Sequence, residues 1–518
     1  MSMRVAVLDL GSNSFHLLVA DVHPDRTFTT VTREKEMLRL GDEVGQFRCI
    51  RAAAADRAVA SLRRLHELAL AHGATEVYAV ATAAIRRAAN GSALVDRFEA
   101  EAGVTVRVID GLEEAELIFE AIRASVVLDP GPAVFIDIGG GSLEIGVGNR
   151  DGMLDGASVA LGVGLLRAKF VSHDPPHVDE LQRLNEQVSD VLLPVIQRLG
   201  VHNPTMLVGS SGTIGDLAAM TLAHAKIAQP RNLNHVTIRR SDFEEMHQRL
   251  LTMTSSERKG LVGLDTKRSD LIAVGSVVLD VAFDILGFES LTFSDWALRE
   301  GILLQAVARS DPSQFADDVT TIREASVSAL ARKCNSRKSH CEHVRDLSLQ
   351  LFDGLKELHG LGDADRAMLA YAVLLHDIGH HVSHYRHHEH AAYLVANSAM
   401  RGFDQSELQF LTALVRHHRK GDVKAAEQHI SALSADDRKR CRKLAALLRV
   451  ADGLDRGHRQ RITRLRAVDN GDIVTLHLAT SADPELEIWG CRRRSELFES
   501  VFGRTLHFSL HDSSGEID

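Results

Sequence analysis

Two short stretches share one layout: Asp9-Leu10-Gly11-Ser12-Asn13-Ser14 and Asp137-Ile138-Gly139-Gly140-Gly141-Ser142. Each follows an apolar run and sets an aspartate before a glycine turn and a serine. Glycine lets backbone N–H groups close on an anion, and successive N–H groups make an anion-binding nest. A carboxylate at the end of a strand can hold Mg²⁺ and so offset phosphate charge. Two such turns facing each other would clamp one phosphate chain. A third turn, Val208-Gly209-Ser210-Ser211-Gly212-Thr213, also follows an apolar run and offers another phosphate cradle. One glycine-rich turn is as readily a plain tight turn, but three of them, two with Asp-x-Gly, favour phosphate. No G-x-x-x-x-G-K-[ST] occurs, which excludes a P-loop enzyme.

Histidines form a second constellation: His340, His343, His376-Asp377, His388, His390 and His417-His418, with Asp452. His340 sits four residues before Val344 on an apolar helical stripe, and His418 follows Leu411 and Leu414. Polar groups recurring on apolar helix faces need partners, because unpaired burial is costly. A shared Mn, Fe or Zn ion is one answer. Hydrogen-bonded core and interface groups are the other. Cys334 and Cys341 lie close by in sequence, without the second pair a zinc knuckle needs.

The elements that position these residues fall into two styles. Up to about residue 308, strand and helix patterns alternate, which implies an α/β layer fold. Val5–Leu8, Val77–Ala81, Val104–Ile109 and Ala133–Ile136 read as strands, and Ala52–His72 as a helix. The 128-residue offset between the Asp-x-Gly turns reads as a weak internal repeat, punctuated by Asp129-Pro130-Gly131-Pro132. Beyond Ser310-Asp311-Pro312-Ser313 the pattern is helical, with Val344, Leu347, Leu351 and Leu355 on one face. Strand-like alternation returns at Ile473–Leu478. The division expected is 1–125, 126–309, a helical domain over 310–462, and a small α/β tail over 463–518.

Composition narrows the function classes. The 518 residues are 45% hydrophobic and 25% charged, with net charge −10, which excludes a disordered chain and a general nucleic-acid coat. Arg438 to Arg466 nevertheless carries eleven Lys or Arg against Asp452 and Asp455. That tract reads as a path for a polyanion, or as a solvated helix face or dimer contact. Aromatics at 5% and the lack of a stacking motif speak against RNA. Five cysteines without a C-x-x-C pair fit a reducing compartment. No stretch reads as a membrane span or a signal-peptide core, so the expectation is a cytoplasmic chain with no membrane partner.

The paired turns resemble the exopolyphosphatase/guanosine pentaphosphate phosphatase (Ppx/GppA) family. The likeness continues through Thr82-x-x-x-Arg86, Glu113-Glu114-Ala115, Gly209-Ser210-Ser211-Gly212-Thr213 and Arg299-Glu300-Gly301. It implies two actin-like (ribonuclease H-like) domains, then an all-α HD-type domain and the small tail. By resemblance Glu114 is the general base that activates water, while Glu144 is a second acidic residue linked to metal or water. Arg86 stands against phosphate. Asp110 and Glu113 read independently as a helix cap and its capping-box partner. The phosphate-binding set is Gly11, Ser12, Asn13, Ser14, Gly139, Gly140, Gly141, Ser142, Gly209, Ser210, Ser211, Gly212 and Thr213. Asp9 and Asp137 hold Mg²⁺ or Mn²⁺, with a monovalent cation as a further expectation. Leu143 departs from the family pattern, which often has Thr there. His340, His376-Asp377 and Asp452 resemble the HD phosphohydrolase pattern, and His417 joins them as an expected ligand of an HD-site transition metal. The activity implied is removal of terminal orthophosphate from inorganic polyphosphate. The alternatives are a phosphohydrolase converting guanosine pentaphosphate to the tetraphosphate, and a weakly catalytic regulator binding either nucleotide. A homodimer is the expected assembly.

Overall fold

A computed structural model describes residues 3–23, 28–128, 130–227, 232–310, 319–398, 400–419 and 433–512. The punctuating Asp129 and the 311–313 part of the second break lie outside them. The chain forms two compact units, Met1–Ile322 and Arg323–Asp518.

The first unit is built on two sheets of the same design. Strands β1 (Met3–Leu10), β2 (Ser14–Val22), β3 (Phe28–Met37), β4 (Glu76–Ala81) and β5 (Val106–Val108) run in the order β3-β2-β1-β4-β5. Strands β6 (Ala133–Ile138), β7 (Leu143–Asn149), β8 (Gly152–Val159), β9 (Met206–Ser210), β10 (Thr237–Arg239) and β11 (Ser290–Phe293) run in the order β10-β11-β9-β6-β7-β8. Replacing β1 by β6, β2 by β7, β3 by β8 and β4 by β9 maps one order onto the other. The repeat seen in sequence is therefore a repeat of topology. In each copy the first strand is antiparallel to the second and parallel to the fourth. β5 is shorter than the run Val104–Ile109 suggested, because Val104 and Ile109 are buried just outside its ladder.

Each sheet has helical cover. The helix Ala52–Ala71 buries Ala55, Ala58, Val59, Leu62 and Leu65 in the core of the first sheet. Ile272–Leu286 is apolar almost throughout and packs against the helices Val178–Leu199, Ser211–His224 and Arg240–Thr252 in the core of the second half. The helix Gly111–Arg123 follows β5 in sequence yet packs on β7 and β8. The helix Leu298–Ser310 follows β11 yet packs on β1 and β2.

In the second unit, the helices Val319–Lys333, Lys338–Gly354, Asp363–Leu375, His387–Ala396, Gln405–Arg416 and Ala435–Gly453 precede a sheet ordered β12 (Ile462–Asp469), β13 (Ile473–Thr480), β14 (Thr505–Asp512). Val344, Leu347, Leu351 and Leu355 are buried together, as their spacing predicted. The same core holds Ile462, Leu465, Val474, Leu476, Phe498 and Phe502. Helices and terminal strands thus share one interior, and the division expected near residue 462 is not a break in packing. No helix among the described residues is long and apolar enough to cross a membrane.

Candidate active site

The two Asp-x-Gly turns are hairpin tips closed in the same way. Gly11 N donates to Ser14 O over 3.1 Å, and Gly139 N donates to Ser142 O over 3.0 Å. The tips meet: a Cβ on Gly140 would collide with the Asn13 side chain, and one on Gly141 with Ser12 Oγ. That closeness is why both positions need glycine. Together the turns border a cleft of about 410 Å³, which Ser211, Gly212 and Thr213 also line. Gly209 and Ser210 sit behind that rim, at the end of β9.

Four carboxylates converge at the floor. Asp9 and Asp137 end β1 and β6, and Glu144 lies directly across from Asp137 in the β6–β7 ladder. Glu144 is buried, and Ser158 Oγ donates to it over 2.7 Å. Like charges directly opposite on a sheet repel. Glu114 comes from the first turn of Gly111–Arg123, where Asp110 caps the helix by accepting from Leu112 N and Glu113 N, both at 2.9 Å. The expected capping box does not close, because the Glu113 carboxylate pairs with Arg107 instead. The adjacent Glu114 is buried and lines the cleft.

Burial raises all four carboxyl groups. Asp9 is pushed up to about 7, opposed by Arg299 and reinforced by Glu114 and Asp137. Glu114 also reaches about 7, with Arg86 pulling the other way. Asp137 reaches about 6 despite the 2.5 Å bond from Ser210 Oγ. Glu144 is held well above its ordinary value by burial and by the Glu114 and Asp137 charges. Such a group calls for protons or a cation. Hard oxygen donors suit Mg²⁺ or Mn²⁺. Asn13 Oδ1 is also buried without a hydrogen-bond partner at the rim, where a water on such an ion would satisfy it. The residues present therefore fit a hard divalent cation.

Arg86 lies behind the base. It donates to Glu114 Oε2 at 3.0 Å and to Ile109 O at 2.8 Å, so it orients the carboxylate. The neighbouring Arg87 donates to Gly141 O at 3.3 Å. The cations lining the cleft are others: Arg33, Lys35, Arg268 and Arg299. Arg299 donates to His16 Nδ1 over 3.2 Å, which fixes His16 as the neutral tautomer whose Nε2–H meets Ser14 Oγ at 2.7 Å. Burial and the three nearby cations hold His16 well below its ordinary value. In sequence Arg299 stands within a motif without a role of its own, and Arg33, Lys35 and Arg268 belong to no motif. Arg33 and Lys35 alternate along polar β3, which is a readable signal. Arg268 comes from a turn at Thr266–Arg268 and gives none.

Arg268 donates to Gly212 O and to Asp216 Oδ2 at 2.5 and 3.0 Å, holding its guanidinium beside the third turn. A charge-assisted bond contributes about 1.5–3 kcal/mol. Arg268→Ala is thus expected to raise KM for a phosphate-chain substrate about 10-fold or more while lowering kcat less. Steady-state kinetics checks this; a fall in kcat with KM unchanged would place Arg268 in the chemical step instead.

In the second unit, His340, His376, Asp377 and Asp452 come together. The expected His417 does not join them. The helix Gln405–Arg416 ends there, and the next residue, His418, turns inward while His417 O accepts from Arg449 Nε at 2.8 Å. His387, which no sequence pattern singled out, stands with Asp377 and His418. Part of the basic tract is engaged within the unit: Lys439 pairs with Asp436 and Arg440 with Asp365 and Asp437, while Lys443 donates to His359 O and Arg461 to Asp483 O. Those contacts reduce the charge available to a polyanion.

The first unit thus joins two sheets of one topology to a cleft where glycine turns, carboxylates and cations meet. The description Ppx/GppA phosphatase family matches residues 18–310, and Ppx/GppA phosphatase, domain III, matches residues 322–486. The chain belongs to the Ppx/GppA phosphatase family. Exopolyphosphatase 1 of Mycobacterium leprae is 32% identical over 307 residues, 58% of this chain and 89% of its own length. A guanosine-5'-triphosphate,3'-diphosphate pyrophosphatase of Aeromonas hydrophila is 29% identical over 417 residues, 80% of each chain. The solved structure of an exopolyphosphatase from Cytophaga hutchinsonii superimposes with a TM-score of 0.56 at 30% identity, covering 59% of this chain and 98% of its own.

Proposed function

We propose that this chain is an exopolyphosphatase that releases terminal orthophosphate from inorganic polyphosphate. The observation that carries the reading is Glu114, a buried carboxylate held by Arg86 at the floor of a cleft lined by glycine turns and four cations. The turns' N–H groups bind the terminal phosphoryl group, and Arg33, Lys35, Arg268 and Arg299 match the charge of the phosphates that follow. Glu114, ionised, accepts a proton from the attacking water. Asp9 and Asp137 would hold Mg²⁺, which would offset charge on the transferred group. We also infer that the helices around His376-Asp377 form an HD-type arrangement.

The alignment of the Aeromonas relative across 80% of this chain supports a second reading, a guanosine pentaphosphate phosphohydrolase. Phosphate release from polyphosphates of several lengths and from guanosine pentaphosphate separates the two. A higher kcat/KM for the nucleotide would overturn the polymer assignment.

The raised carboxyl groups set a sign for pH. Asp9, Asp137 and Glu114 bind protons more tightly folded than unfolded, so their contribution to stability is full below about pH 4 and is lost as pH rises through about 6 to 7. The metal-free chain is therefore expected to melt lower at pH 8 than at pH 5.5. Mg²⁺ is expected to raise Tm more at pH 8, where these groups are ionised. Equal Mg²⁺ increments at both pH values would remove this group as the cation site.

A further inference from the structure

We propose that the first unit carries a second ligand site beside the catalytic cleft, a pocket for a small organic phosphate: a phosphate group borne on an apolar body. The site does not depend on which substrate the cleft takes.

The pocket measures about 350 Å³ and has one residue, Gly141, in common with the cleft. Small-molecule sites run from about 300 to 1,000 Å³, so the volume suits a compact ligand. Both halves of the unit build its walls. The helix Leu40–Phe47 brings Val44, the residue that follows it is Arg48, and the helix Ala83–Arg87 ends on Arg87. From the other half, Val163–Phe170 brings Leu165, Lys169 and Phe170, and Val178–Leu199 brings Gln187 and Val191.

Charge gives the ligand its sign. Arg48, Arg87 and Lys169 line the pocket, and no carboxylate does. Among the described residues none of the three stands in an ion pair. Arg87 donates to Gly141 O over 3.3 Å, and Lys169 Nζ to Gln187 Oε1 over 3.3 Å, contacts that leave the charges unmatched. The acids of Leu40–Phe47 are engaged elsewhere, Asp42 with Arg39 and Glu43 with Arg51. The cleft is different, since Arg33, Lys35 and Arg268 there pair with Glu300, Asp265 and Asp216. Like charges gathered without a counter-charge repel, and an anion among them removes the repulsion. Arginine forks grip phosphate in two-point contacts, and three cations match the roughly two charges of a phosphate group better than the single charge of a carboxylate.

The walls select an organic occupant over an inorganic one. Val44, Leu165, Phe170 and Val191 form an apolar side to the pocket. A bare phosphate would leave that surface in water, whereas an aryl body covers it. Phe170 is half-buried, holds Lys169 Nζ 4.8 Å from its ring centroid, and gives a flat body an aromatic neighbour. Arg87 ties the pocket to the chemistry. A phosphate that draws on its guanidinium competes with Gly141 O, so an occupant bears on the turn that cradles the substrate.

Phenylphosphonate is the probe, because its C–P bond is not an ester that a phosphatase can cleave. Calorimetric titration of the full chain at pH 8 is expected to show saturable binding with a Kd of about 1 mM or below. Arg48→Ala and Lys169→Ala are each expected to weaken it about 10-fold, the loss of one charge-assisted contact. Arg268→Ala, in the cleft, should leave it unchanged. Both pocket variants should release phosphate from tripolyphosphate as wild type does, which reports that they fold. Orthophosphate should displace the probe only at concentrations about 10-fold higher, for want of an apolar body. In kinetics the probe should alter kcat of the wild type rather than compete with tripolyphosphate. The binding measurements need no turnover, so they stand or fall apart from the reading of the cleft. Absence of saturable binding overturns the proposal. Binding that Arg268→Ala weakens and the pocket variants do not, or purely competitive inhibition, puts the probe in the cleft and overturns it too. Orthophosphate displacing the probe at equal concentration overturns the organic class.

Discussion

Glu114→Gln is expected to lower kcat for phosphate release about 10²–10⁴-fold, the usual contribution of a positioned general base. The amide keeps the shape and can still accept from Arg86, which now lies 3.0 Å from the carboxylate. It cannot take a proton from water. Removing one of four mutually repelling carboxylates should leave KM similar or lower and should raise Tm at pH 8. Wild-type kcat should itself climb with pH through about 7 as Glu114 loses its proton. Glu114→Gln with near wild-type kcat would move the base to another carboxylate. Glu144 is the next in line, because it lies in the same buried group.

Gly301→Ala is expected to damage both stability and rate. The added Cβ would run into the carbonyl oxygen of Leu117, with backbone on both sides and no side chain able to swing away. Overpacking of this kind costs about 1–3 kcal/mol. Leu117 follows Glu114 by one turn of the same helix, so the strain displaces the base. A misplacement near 1 Å costs about 10²-fold in rate. Gly200→Ala, where nothing lies within 4 Å, serves as control. Thermal melts with phosphate-release assays decide the matter, and a Gly301→Ala chain matching that control in both would show that the two helices can separate at no cost.

The parts of the site legible in sequence were those written in contiguous residues. The Asp-x-Gly turns, the Asp110 cap and the strand runs each need only local geometry. What escaped depended on distant pairing. Ser14–Val22 is hidden because the turn residue Ser14 is also the first residue of the strand, with no break between them. Phe28–Met37 was missed because its polar, partly exposed pattern lacks an apolar run. Arg268 reaches the cleft from a turn more than 250 residues after the first hairpin, so no spacing rule connects them. The apolar stripe of Leu411 and Leu414 pointed to His418, whereas the resemblance named its neighbour His417. Arg86, set against phosphate by resemblance, donates to the Glu114 carboxylate, a contact that no local spacing announces.

The exchanged helices have a consequence for dissection. Gly111–Arg123, encoded with the first sheet, covers the second, while Leu298–Ser310, encoded with the second, covers the first. Severing the chain in the connector between Arg123 and Ala133 would strip each half of the lid that its own apolar face requires, and would separate Glu114 from Asp137. The halves are therefore interlocked rather than modular. Co-expressed fragments should regain phosphate release only as a reassembled pair, and neither fragment alone should resist protease.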